Sequence, residues 1–449
     1  MKGDFTRLTF KPDKHYSGVP QQQGRVQLDA DANEQAALWL HHLRAALTDI
    51  IGPHGGPEGD SFKITPKAGA GAQPLADLLI GRGHYYVDGI LSENDAADTS
   101  YLHQPDLFPD DNNHPLPTSF PFLVYLRVFE RLVTSVEDPA IREVALGDNG
   151  PDTAARSQVV WQVLTSTTIP GTTTNIDGNT TADSVRKVWK TKTEKAAKLK
   201  ARGKQPSPQD DDPCITSPTA RFRGAENQLY RVQIHHGGTV GQATFKWSRD
   251  NGSVVFPIRE INGAEVTVTT LGRDTRLGLA VGDWVEIVDD RYALRSEPEP
   301  LQRVKRIDPL DLLVELETTP SAVTGRDPSL HPFLRRWDQR EPEPGSSGPA
   351  LGADNALKII EADATDQFID LEDGVQIQFQ AGGTYLRDDY WLIPARTATG
   401  DVEWPQTAGK PAERPPDGVA EHIAPLALVK DGNMAESVRC LFKRLACPP

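Results

Sequence analysis

Short β-type segments, each bounded by turn residues, fill the stretch from residue 214 to residue 330 and limit the possible folds more than any other feature. These segments are residues 229–234, 243–247, 253–258, 266–270, 284–288, 304–307 and 312–316. Strands this short and evenly spaced are typical of small β-barrels and sandwiches. The 37 glycines and 36 prolines favour many turns and few long helices. We therefore predict a mainly β, multi-domain protein built from small β-barrel or sandwich units.

One amphipathic helix is predicted near the N-terminus, after a short strand at residues 24–28. Asp31 is placed to cap this helix and Glu34 to complete a capping box, while Gly52 and Pro53 end it. The apolar residues that recur at steps of four and three are Ala36, Leu40, Leu43, Leu47 and Ile50. Because a single apolar stripe needs a packing partner, we expect the helix to pack on sheets of this chain or on a neighbouring subunit.

The pattern of strands and loops predicts five consecutive segments. They are an N-terminal docking segment of strand plus helix at 1–60, a β domain at 61–170, an insertion with a basic arm at 171–213, a small β-barrel-like domain at 214–330, and a C-terminal β domain at 331–449. The basic arm, residues 184–204, is predicted to be partly helical. Two interpretations of the arm stay open: a solvated helix, or an extension that docks on an acidic neighbour.

Charge and hydropathy exclude several classes of protein. With 48 basic and 63 acidic residues, the net charge is −15, so phosphate backbones would be repelled and no nucleic-acid partner is expected. A mean hydropathy of −0.47 and the lack of a long apolar run argue against membrane insertion. The first residues contain no hydrophobic region of a signal peptide, which predicts cytoplasmic synthesis. The cysteines Cys214, Cys440 and Cys447 are expected to be reduced thiols.

Sequence motifs nominate no catalytic residue, no cofactor and no metal site, and we predict that the chain is not an enzyme. Residues 81–83 lack the third glycine of a nucleotide-binding loop. Residues 29–33 resemble the start of a calcium loop, but Glu34 and Leu40 occupy the positions that need glycine and a closing carboxylate. The adjacent histidines at 41–42 would point about 100° apart on a helix, and no Cys or carboxylate stands at the usual metal-ligand spacing, so a structural role is favoured.

Two features keep carbohydrate chemistry open. Carboxylates that could form a glycosidase pair are Glu137, Asp138, Asp289 and Asp290. Aromatic residues stand beside arginine at 245–249 and 390–396, where stacking could build a sugar-binding platform, although the strand pattern favours core positions for these aromatics. The candidate ligand-surface residues are Trp391, Arg396 and Trp404. Exposed tryptophans at 391 and 404 would favour the platform, and buried ones would count against it.

Phrases spread over nearly the whole chain carry a resemblance to a known family. The first half contains MKGDFTR at 1–7, QQGRVQLDAD at 22–31, IGPHGG at 51–56, YYVDGI at 85–90 and QVVWQ at 158–162. The second half contains ENQLYRV at 226–232, FKWSR at 245–249, YWLIPAR at 390–396 and TGDVEWP at 399–405. Together they resemble uncharacterised proteins encoded among the baseplate genes of contractile injection systems and phage-tail-like particles. The chain departs from that pattern at 387–389 and 421–423.

The resemblance implies a structural component of the baseplate, such as a spike cage, a ring or a fibre adaptor. The implied partners are baseplate wedge and central spike proteins, together with further copies of the chain in a hexameric ring or trimer. The chain would belong to an assembled injection particle, either released from the cell or anchored in it. The residues predicted to dock are Phe5, Arg25, Leu40, Leu43 and Leu47. The alternatives are a module that binds glycans or the cell envelope and an enzyme that cleaves polysaccharide.

Overall fold

A computed structural model describes most of the chain. The described residues are 1–69, 74–109, 114–147, 151–192, 195–204, 221–272, 274, 276–295, 299–342, 348–362 and 367–443. The predicted thiols Cys214 and Cys447 lie outside these residues, as does the end of the predicted insertion at 205–213. The fold is mainly β, which confirms the predicted class. Among the described residues, no helix is long and apolar enough to cross a membrane.

The elements, numbered along the chain, comprise three α-helices, many short strands and four single turns of 3₁₀-helix in the described parts. The helices are α1 (Asp29–Ile51), α2 (Ala182–Val188) and α3 (Asp290–Arg295). The strands of the first half are β1 (His54–Pro57), β2 (Ile64–Ala68), β3 (Leu75–Ile80), β4 (Gly83–Val87), β5 (Ile90–Asn94), β6 (Phe122–Val133), β7 (Arg156–Ser166), β8 (Leu199–Gly203), β9 (Gln228–His236) and β10 (Thr244–Ser248).

The remaining strands complete the chain. They are β11 (Val255–Asn262), β12 (Glu265–Val268), β13 (Trp284–Val288), β14 (Gln302–Asp308), β15 (Leu313–Leu316), β16 (Phe333–Trp337), β17 (Leu357–Lys358), β18 (Glu361–Ala362), β19 (Ile369–Asp370), β20 (Val375–Gln380), β21 (Tyr390–Arg396), β22 (Asp401–Val402), β23 (Gln406–Thr407), β24 (Lys410–Pro411), β25 (His422–Val429), β26 (Ala435–Ser437) and β27 (Leu441–Phe442).

Two compact units make up the chain, and each is assembled from separate segments. The barrel unit consists of Met1–Leu8, Leu132–Arg156 and Lys195–Val419. The helix unit consists of Thr9–Arg131, Ser157–Glu194 and Ala420–Pro449. The boundaries of the units therefore cut across the five consecutive segments expected from the sequence.

Six antiparallel strands of the barrel unit close into a small barrel, in the order β11-β12-β15-β14-β13-β16. Its interior is filled by fully buried side chains, among them Phe256, Val266, Val285, Val314 and Leu334. A barrel with so few strands has room for side chains and not for a channel. The predicted small barrel is thus confirmed, and β16 lies beyond the segment 214–330 that was expected to contain it.

A second core of the barrel unit joins two sheets. One sheet has the order β17-β10-β9-β21-β22, and the other has β20 paired with β8, β18 and β19. The shared core cluster contains Tyr230, Trp247, Phe379 and Trp391, all buried. Nearly every residue of β9 and β10 is buried, because each of these strands has a neighbour on both edges and packed material on both faces. This burial places the aromatic residues of the phrases FKWSR and YWLIPAR inside the core.

The helix unit contains two four-stranded sheets and a hairpin. The sheets have the orders β26-β25-β6-β7 and β27-β1-β4-β5, and β2 pairs with β3. The predicted Asp88-Gly89 hairpin is present between β4 and β5, with positive φ values of 47° and 75° at the two turn residues. Such angles fit the two-residue turn that Asp-Gly favours. A Cβ at Gly89 would lie 2.4 Å from the Arg44 carbonyl oxygen, so α1 packs directly on this turn.

The predicted N-terminal helix is present as α1, but its start differs from the prediction. Leu28 occupies the N-cap position and its side chain makes no capping hydrogen bond. Asp31 lies inside the first turn, where its charge favours the positive end of the helix dipole. Glu34 accepts a hydrogen bond from the Thr9 hydroxyl instead of closing a capping box. Residues 24–28 are irregular and exposed, so the predicted strand there is wrong: none of the described strands pairs with this segment.

The predicted basic arm is not one continuous helix. Its described parts contain the short helix α2 and the strand β8, which pairs with β20 over five residues. The alternation of β8 explains this outcome: Leu199, Ala201 and Gly203 are buried, while Lys200 and Arg202 between them are only half-buried. The basic residues of β8 therefore lie on one face of a sheet. The burial of every second residue follows the strand period of two, which the lysine-rich composition makes hard to recognise.

Candidate functional site

The outward face of α1 carries apolar side chains that the described structure leaves exposed. Trp39 is 66% exposed, Leu43 56% and Ile50 74%. On the opposite side, Ala30 and Leu38 are the buried residues of the helix. The stripe predicted from the four-and-three spacing is therefore not the face that α1 packs on its own unit. An apolar face left in water normally marks a surface that another molecule covers.

Contacts with the helix unit fix the direction in which this face points. The Arg44 guanidinium donates two hydrogen bonds to the Glu130 carboxylate, at 2.8 and 3.0 Å, and both side chains are partly buried. Fork-shaped pairs of this kind hold geometry better than single contacts. Together with the close approach of α1 to Gly89, the pair holds α1 on its unit through Arg44, which lies about 100° around the helix from Leu43.

The structure brings three of the five predicted docking residues together. Leu40, Leu43 and Leu47 lie on one face of α1, with Leu40 and Leu43 exposed and Leu47 half-buried. Phe5 belongs to the barrel unit, where it packs against the cluster of Leu229, Tyr390 and Leu392. Arg25 is exposed in the irregular segment before α1. Trp39 was not among the predicted residues, although its position one residue before Leu40 could have suggested it.

The three predicted ligand-surface residues are buried in the barrel unit. The ring N–H of Trp391 donates to the Arg414 carbonyl oxygen at 3.0 Å, and that of Trp404 donates to the Ala412 carbonyl oxygen at 2.8 Å. Arg396 is also buried; it donates to the Glu403 carboxylate at 3.2 Å. These residues are part of the core, where their N–H groups are hydrogen-bonded, and they form no stacking platform. The physical reason is that Trp391 and Arg396 lie on β21, which is flanked by β9 and β22, and that Trp404, after β22, packs in the same core cluster as Trp391.

The FKWSR phrase contains a buried charge that the sequence interpretation missed. The Lys246 ammonium donates to a Glu286 carboxylate oxygen at 2.5 Å, and both side chains are almost completely buried. Glu286 also accepts hydrogen bonds from the Tyr292 hydroxyl at 2.7 Å and from the Trp337 ring N–H at 2.9 Å. A lysine and a glutamate within otherwise apolar strands, FKWS and WVEIV, were the available signal.

The electrostatics of this pair favour two opposite charges. Burial alone would raise the pKa of Glu286, but the adjacent Lys246 ammonium outweighs it and holds that pKa well below its usual range. Burial lowers the pKa of Lys246, and the Glu286 carboxylate opposes that change. The buried carboxylate is held by three donors, Lys246, Tyr292 and Trp337, so it is suited to hold β10, β13 and β16 together and not to exchange protons with a substrate.

Three of the four predicted glycosidase carboxylates accept hydrogen bonds from nearby backbone N–H groups, and the fourth, Asp290, lies 2.8 Å from His331 Nδ1. Asp289 accepts backbone N–H groups of Tyr292 and Gly325, both at 2.8 Å. Asp138 accepts the Ala140 N–H at 3.1 Å and begins a 3₁₀ turn. Capping carboxylates are held by the backbone they satisfy, which is a structural role. Glu137 likewise accepts the N–H and hydroxyl of Thr134, at 3.1 and 3.3 Å.

A cysteine and a histidine of the helix unit approach each other. Cys440 Sγ lies 4.0 Å from His54 Nε2, and the other ring nitrogen of His54 lies 3.0 Å from the Tyr85 hydroxyl. Burial raises the pKa of the Cys440 thiol and lowers the pKa of His54 to about 4. Both groups are therefore neutral near pH 7, whereas a reactive cysteine needs its thiolate form. Within the part of the chain that the structure describes, no three His, Cys, Asp or Glu residues are grouped to hold a metal ion.

An arginine-rich cleft of about 450 Å³ opens in the barrel unit between the loop before β13 and the residues after β16. We call it the arginine cleft. Its charged lining residues are Arg249, Arg276, Arg303, Arg336, Arg340, Asp283, Asp338 and Glu341. Edges of Trp284 and Trp337 and the backbone of 278–282 complete the lining. Five arginines in one cleft contrast with the net charge of −15 for the chain.

The inner arginines of the cleft are firmly paired. Arg249 donates two 2.7 Å hydrogen bonds to the Glu372 carboxylate. Arg336 donates to backbone carbonyls at 2.7 and 2.6 Å and lies 3.2 Å from the Asp338 carboxylate. Burial, reinforced by the Asp338 charge, raises the pKa of Asp250, a further carboxylate of this network. Because these groups are largely buried and paired with one another, they form a fixed floor.

The outer arginines are loosely paired. Arg303 lies 3.8 Å from Glu317 and 3.8 Å from Glu341, and its side chain is partly exposed. The more exposed Arg340 lies 3.9 Å from Glu372. Ion pairs of this length on exposed side chains contribute little stability. Their guanidinium groups are thus the part of the cleft that is free to reorient towards an incoming anion.

Comparison with known proteins gives one match. A model of one protein family, described as a family of unknown function (DUF6519), matches residues 1–169 and 164–448. No curated protein matches the chain. No solved structure matches it.

Proposed function

The chain belongs to the family of unknown function (DUF6519), and we propose that it is a structural subunit of a phage-tail-like contractile injection particle. In this proposal it acts at the baseplate, where it joins a wedge or central spike protein. The exposed apolar face of α1 carries the proposal, because an assembled subunit needs such a surface and a free monomer does not. The long phrases that resemble proteins encoded among baseplate genes support the choice of particle.

The chemistry of the α1 face specifies the kind of surface that covers it. Leu40, Leu43, Leu47 and Ile50 follow steps of three and four, the spacing with which one helix packs along another. None of these side chains is charged, so the covering surface must be apolar and uncharged where they meet. We propose that it is an apolar helix of the wedge or spike protein, aligned with α1.

The size of the exposed surface fits one half of an interface. Trp39, Leu40, Leu43 and Ile50 together expose roughly 400 Å² of apolar side chain, within the range of functional patches on soluble proteins. A stable interface needs about 800 Å² from each partner. Val26 and Leu28, 83% and 49% exposed in the segment before α1, would contribute further area. The docking segment is therefore larger than the helix alone.

The same proposal includes several copies of the chain per particle, as a hexameric ring or a trimer. Assemblies with matched symmetry use one surface repeatedly, which suits a chain that presents a single apolar helix face. The particle is either released from the cell or anchored in it. In this role the chain catalyses no reaction, and its sheets serve as a rigid support.

Incorporation into particles tests the proposal. Particles are prepared from cells in which the gene is deleted and then supplied again as wild type or as the double variant Trp39→Glu and Leu43→Glu. We expect the double variant to be reduced at least about tenfold in purified particles, measured by quantitative mass spectrometry, because burying two new carboxylates is costly. Electron cryomicroscopy of wild-type particles should show density at the wedge or spike that is missing after deletion.

A matched substitution controls for general effects of the charge. Leu310 is 93% exposed in the turn between β14 and β15, so Leu310→Glu places a carboxylate on a leucine site away from α1. This variant should enter particles like the wild type. Circular dichroism of each purified variant confirms folding. Normal incorporation of the Trp39→Glu and Leu43→Glu variant would overturn docking through α1, and self-association of the isolated wild type that this variant abolishes would identify a second copy as the covering surface instead.

The alternative function, glycan binding through the C-terminal third, loses its expected site. Trp391 and Trp404 are buried, and their ring N–H groups are used by backbone carbonyls. Stacking on a sugar needs an exposed aromatic face. Any ligand site in this chain must therefore use other residues.

A further inference from the structure

We propose that the arginine cleft of the barrel unit binds a saccharide that carries a carboxylate, such as a uronic acid unit of an acidic polysaccharide. The proposal is independent of assembly through α1, because the cleft belongs to the barrel unit and the docking helix to the helix unit. It gives the chain a binding activity in addition to its structural role. The ligand class follows from three properties of the cleft: available cations, fixed acceptors and size.

The available cations are Arg303 and Arg340. Their carboxylate neighbours lie at 3.8 to 3.9 Å, near the outer limit for an ion pair, so a ligand carboxylate at hydrogen-bonding distance would be the stronger partner. Guanidinium groups donate two parallel hydrogen bonds to a carboxylate, which gives direction as well as attraction. The acid group of the ligand is therefore placed at these two residues.

The acceptors are carboxylates held in place by the floor. Asp283 accepts the Ala280 N–H at 2.9 Å with one oxygen, and Asp338 accepts the Arg249 N–H at 2.9 Å while lying 3.2 Å from Arg336 Nε. Carboxylate oxygens have more acceptor positions than these contacts use. Ligand hydroxyl groups can donate hydrogen bonds to these carboxylate oxygens without bringing further positive charge into a cleft that already contains five arginines. A sugar ring supplies several such hydroxyls on neighbouring carbons.

The dimensions of the cleft agree with a small saccharide. Its volume of about 450 Å³ lies within the range of small-molecule sites, roughly 300–1,000 Å³. Only edges of Trp284 and Trp337 reach the cleft, since both indoles are buried. Recognition would therefore depend on hydrogen bonds and charge more than on stacking. An acidic peptide would supply carboxylates but fewer hydroxyl donors for Asp283 and Asp338, and we favour the sugar for that reason.

Calorimetric titration of the whole chain tests the proposal. The ligands are digalacturonate, the neutral disaccharide maltose, and a peptide of eight glutamates, each at low and at physiological salt. We expect digalacturonate to bind at least about tenfold more tightly than maltose or the peptide, and added salt to weaken it. Arg303→Gln and Arg340→Gln should each weaken binding at least about tenfold, while Arg303→Lys should fall between the wild type and Arg303→Gln because the charge remains but the fork is lost.

Arg259→Gln is the matched control, because Arg259 is an exposed arginine on β11 of the same barrel and does not line the cleft. It should bind digalacturonate like the wild type. Lack of digalacturonate binding up to several millimolar, equal binding of the peptide, or equal affinities of all arginine variants would each overturn the proposal. None of these results depends on particle incorporation, so failure here is separate from failure of docking through α1.

Discussion

The role of a single residue in this chain is often not evident from its sequence neighbours. Lys246 occurs in the phrase FKWSR, where the aromatic neighbours suggest an ordinary core strand. In the structure it forms an ion pair with Glu286 that is almost completely buried and has two further donors, Tyr292 and Trp337. A buried pair with all partners in place is tolerated, but removal of one member leaves an uncompensated charge in a medium of low polarity.

The substitution Lys246→Met is therefore expected to lower the free energy of unfolding by about 3–5 kcal/mol, because Glu286 would stay buried without its cation. Urea denaturation followed by tryptophan fluorescence measures the change. Lys305→Met is the matched control: Lys305 lies 2.5 Å from Glu315, but its side chain is mostly exposed. Lys305→Met should lower the free energy of unfolding much less than Lys246→Met does. Equal losses for the two variants would show that the Lys246 pair is not under the electrostatic constraint inferred here.

Elements of the helix unit are joined by polar contacts at the Asp88-Gly89 turn. Asp88 ends the β4 hairpin, and its carboxylate lies 2.6 Å from His422 Nδ1 on β25 and accepts the Thr191 hydroxyl at 2.9 Å. Partial burial would raise the pKa of Asp88, but the hydrogen bonds from His422 and Thr191 outweigh burial and lower it. One carboxylate thus links the hairpin to a strand more than 300 residues away in sequence.

This link predicts a defined pH dependence. A carboxylate whose pKa is lower in the folded state stabilises the protein above its unfolded pKa, about 3.9, and loses that contribution as pH falls through the folded pKa. We expect Asp88→Asn to reduce the free energy of unfolding by about 1–2 kcal/mol at pH 7, since asparagine tolerates the positive φ but loses the charged contacts. Urea denaturation of both proteins between pH 7 and pH 3 should show this difference shrinking at the acidic end. A difference that stays constant down to pH 3 would contradict the assignment.

The whole molecule carries a net charge of −15, and the arginine cleft is a local exception. Most arginines of that cleft are matched by carboxylates behind them, such as Glu372 and Asp250. A long phosphate backbone would meet repulsion over most of the surface, whereas a small acidic ligand needs only the outer arginines. The charge distribution therefore favours small anions over nucleic acids as ligands.

We expect duplex DNA to bind with a dissociation constant above about 0.1 mM at physiological salt, which is weaker than the usual affinity of non-specific DNA-binding proteins. Fluorescence anisotropy with a labelled duplex measures this at two salt concentrations. The salt response is the decisive measurement. Lowering the salt concentration increases the DNA affinity of ordinary DNA-binding proteins. For this chain it should not increase the affinity, because the repulsion between like charges becomes less screened. Tightening at low salt would reveal a basic surface that the net charge conceals.

The sequence by itself determined the local features of this protein. Alternating apolar residues and turn residues predicted five of the six strands of the barrel, all but β16, together with the Asp88-Gly89 turn and the helix α1, because each depends on contacts within a few residues. The same spacing identified the face of α1 that carries Leu40 and Leu43. It could not say whether that face is covered within the unit, since coverage depends on elements far apart in the chain.

Only the tertiary structure decided which side chains come together. Trp391 on β21 and Trp404 after β22 are buried because both belong to one core cluster of the barrel unit, and Lys246 meets Glu286 because β10 lies beside the barrel. Neither outcome follows from spacing. The arginine cleft likewise joins Arg249, Arg303 and Arg340 from separate strands and loops. Sequence periodicity predicts on which face of its own helix or strand a side chain lies. Burial, charge pairing and clefts arise between elements, and the free energy that fixes them belongs to contacts across long stretches of chain.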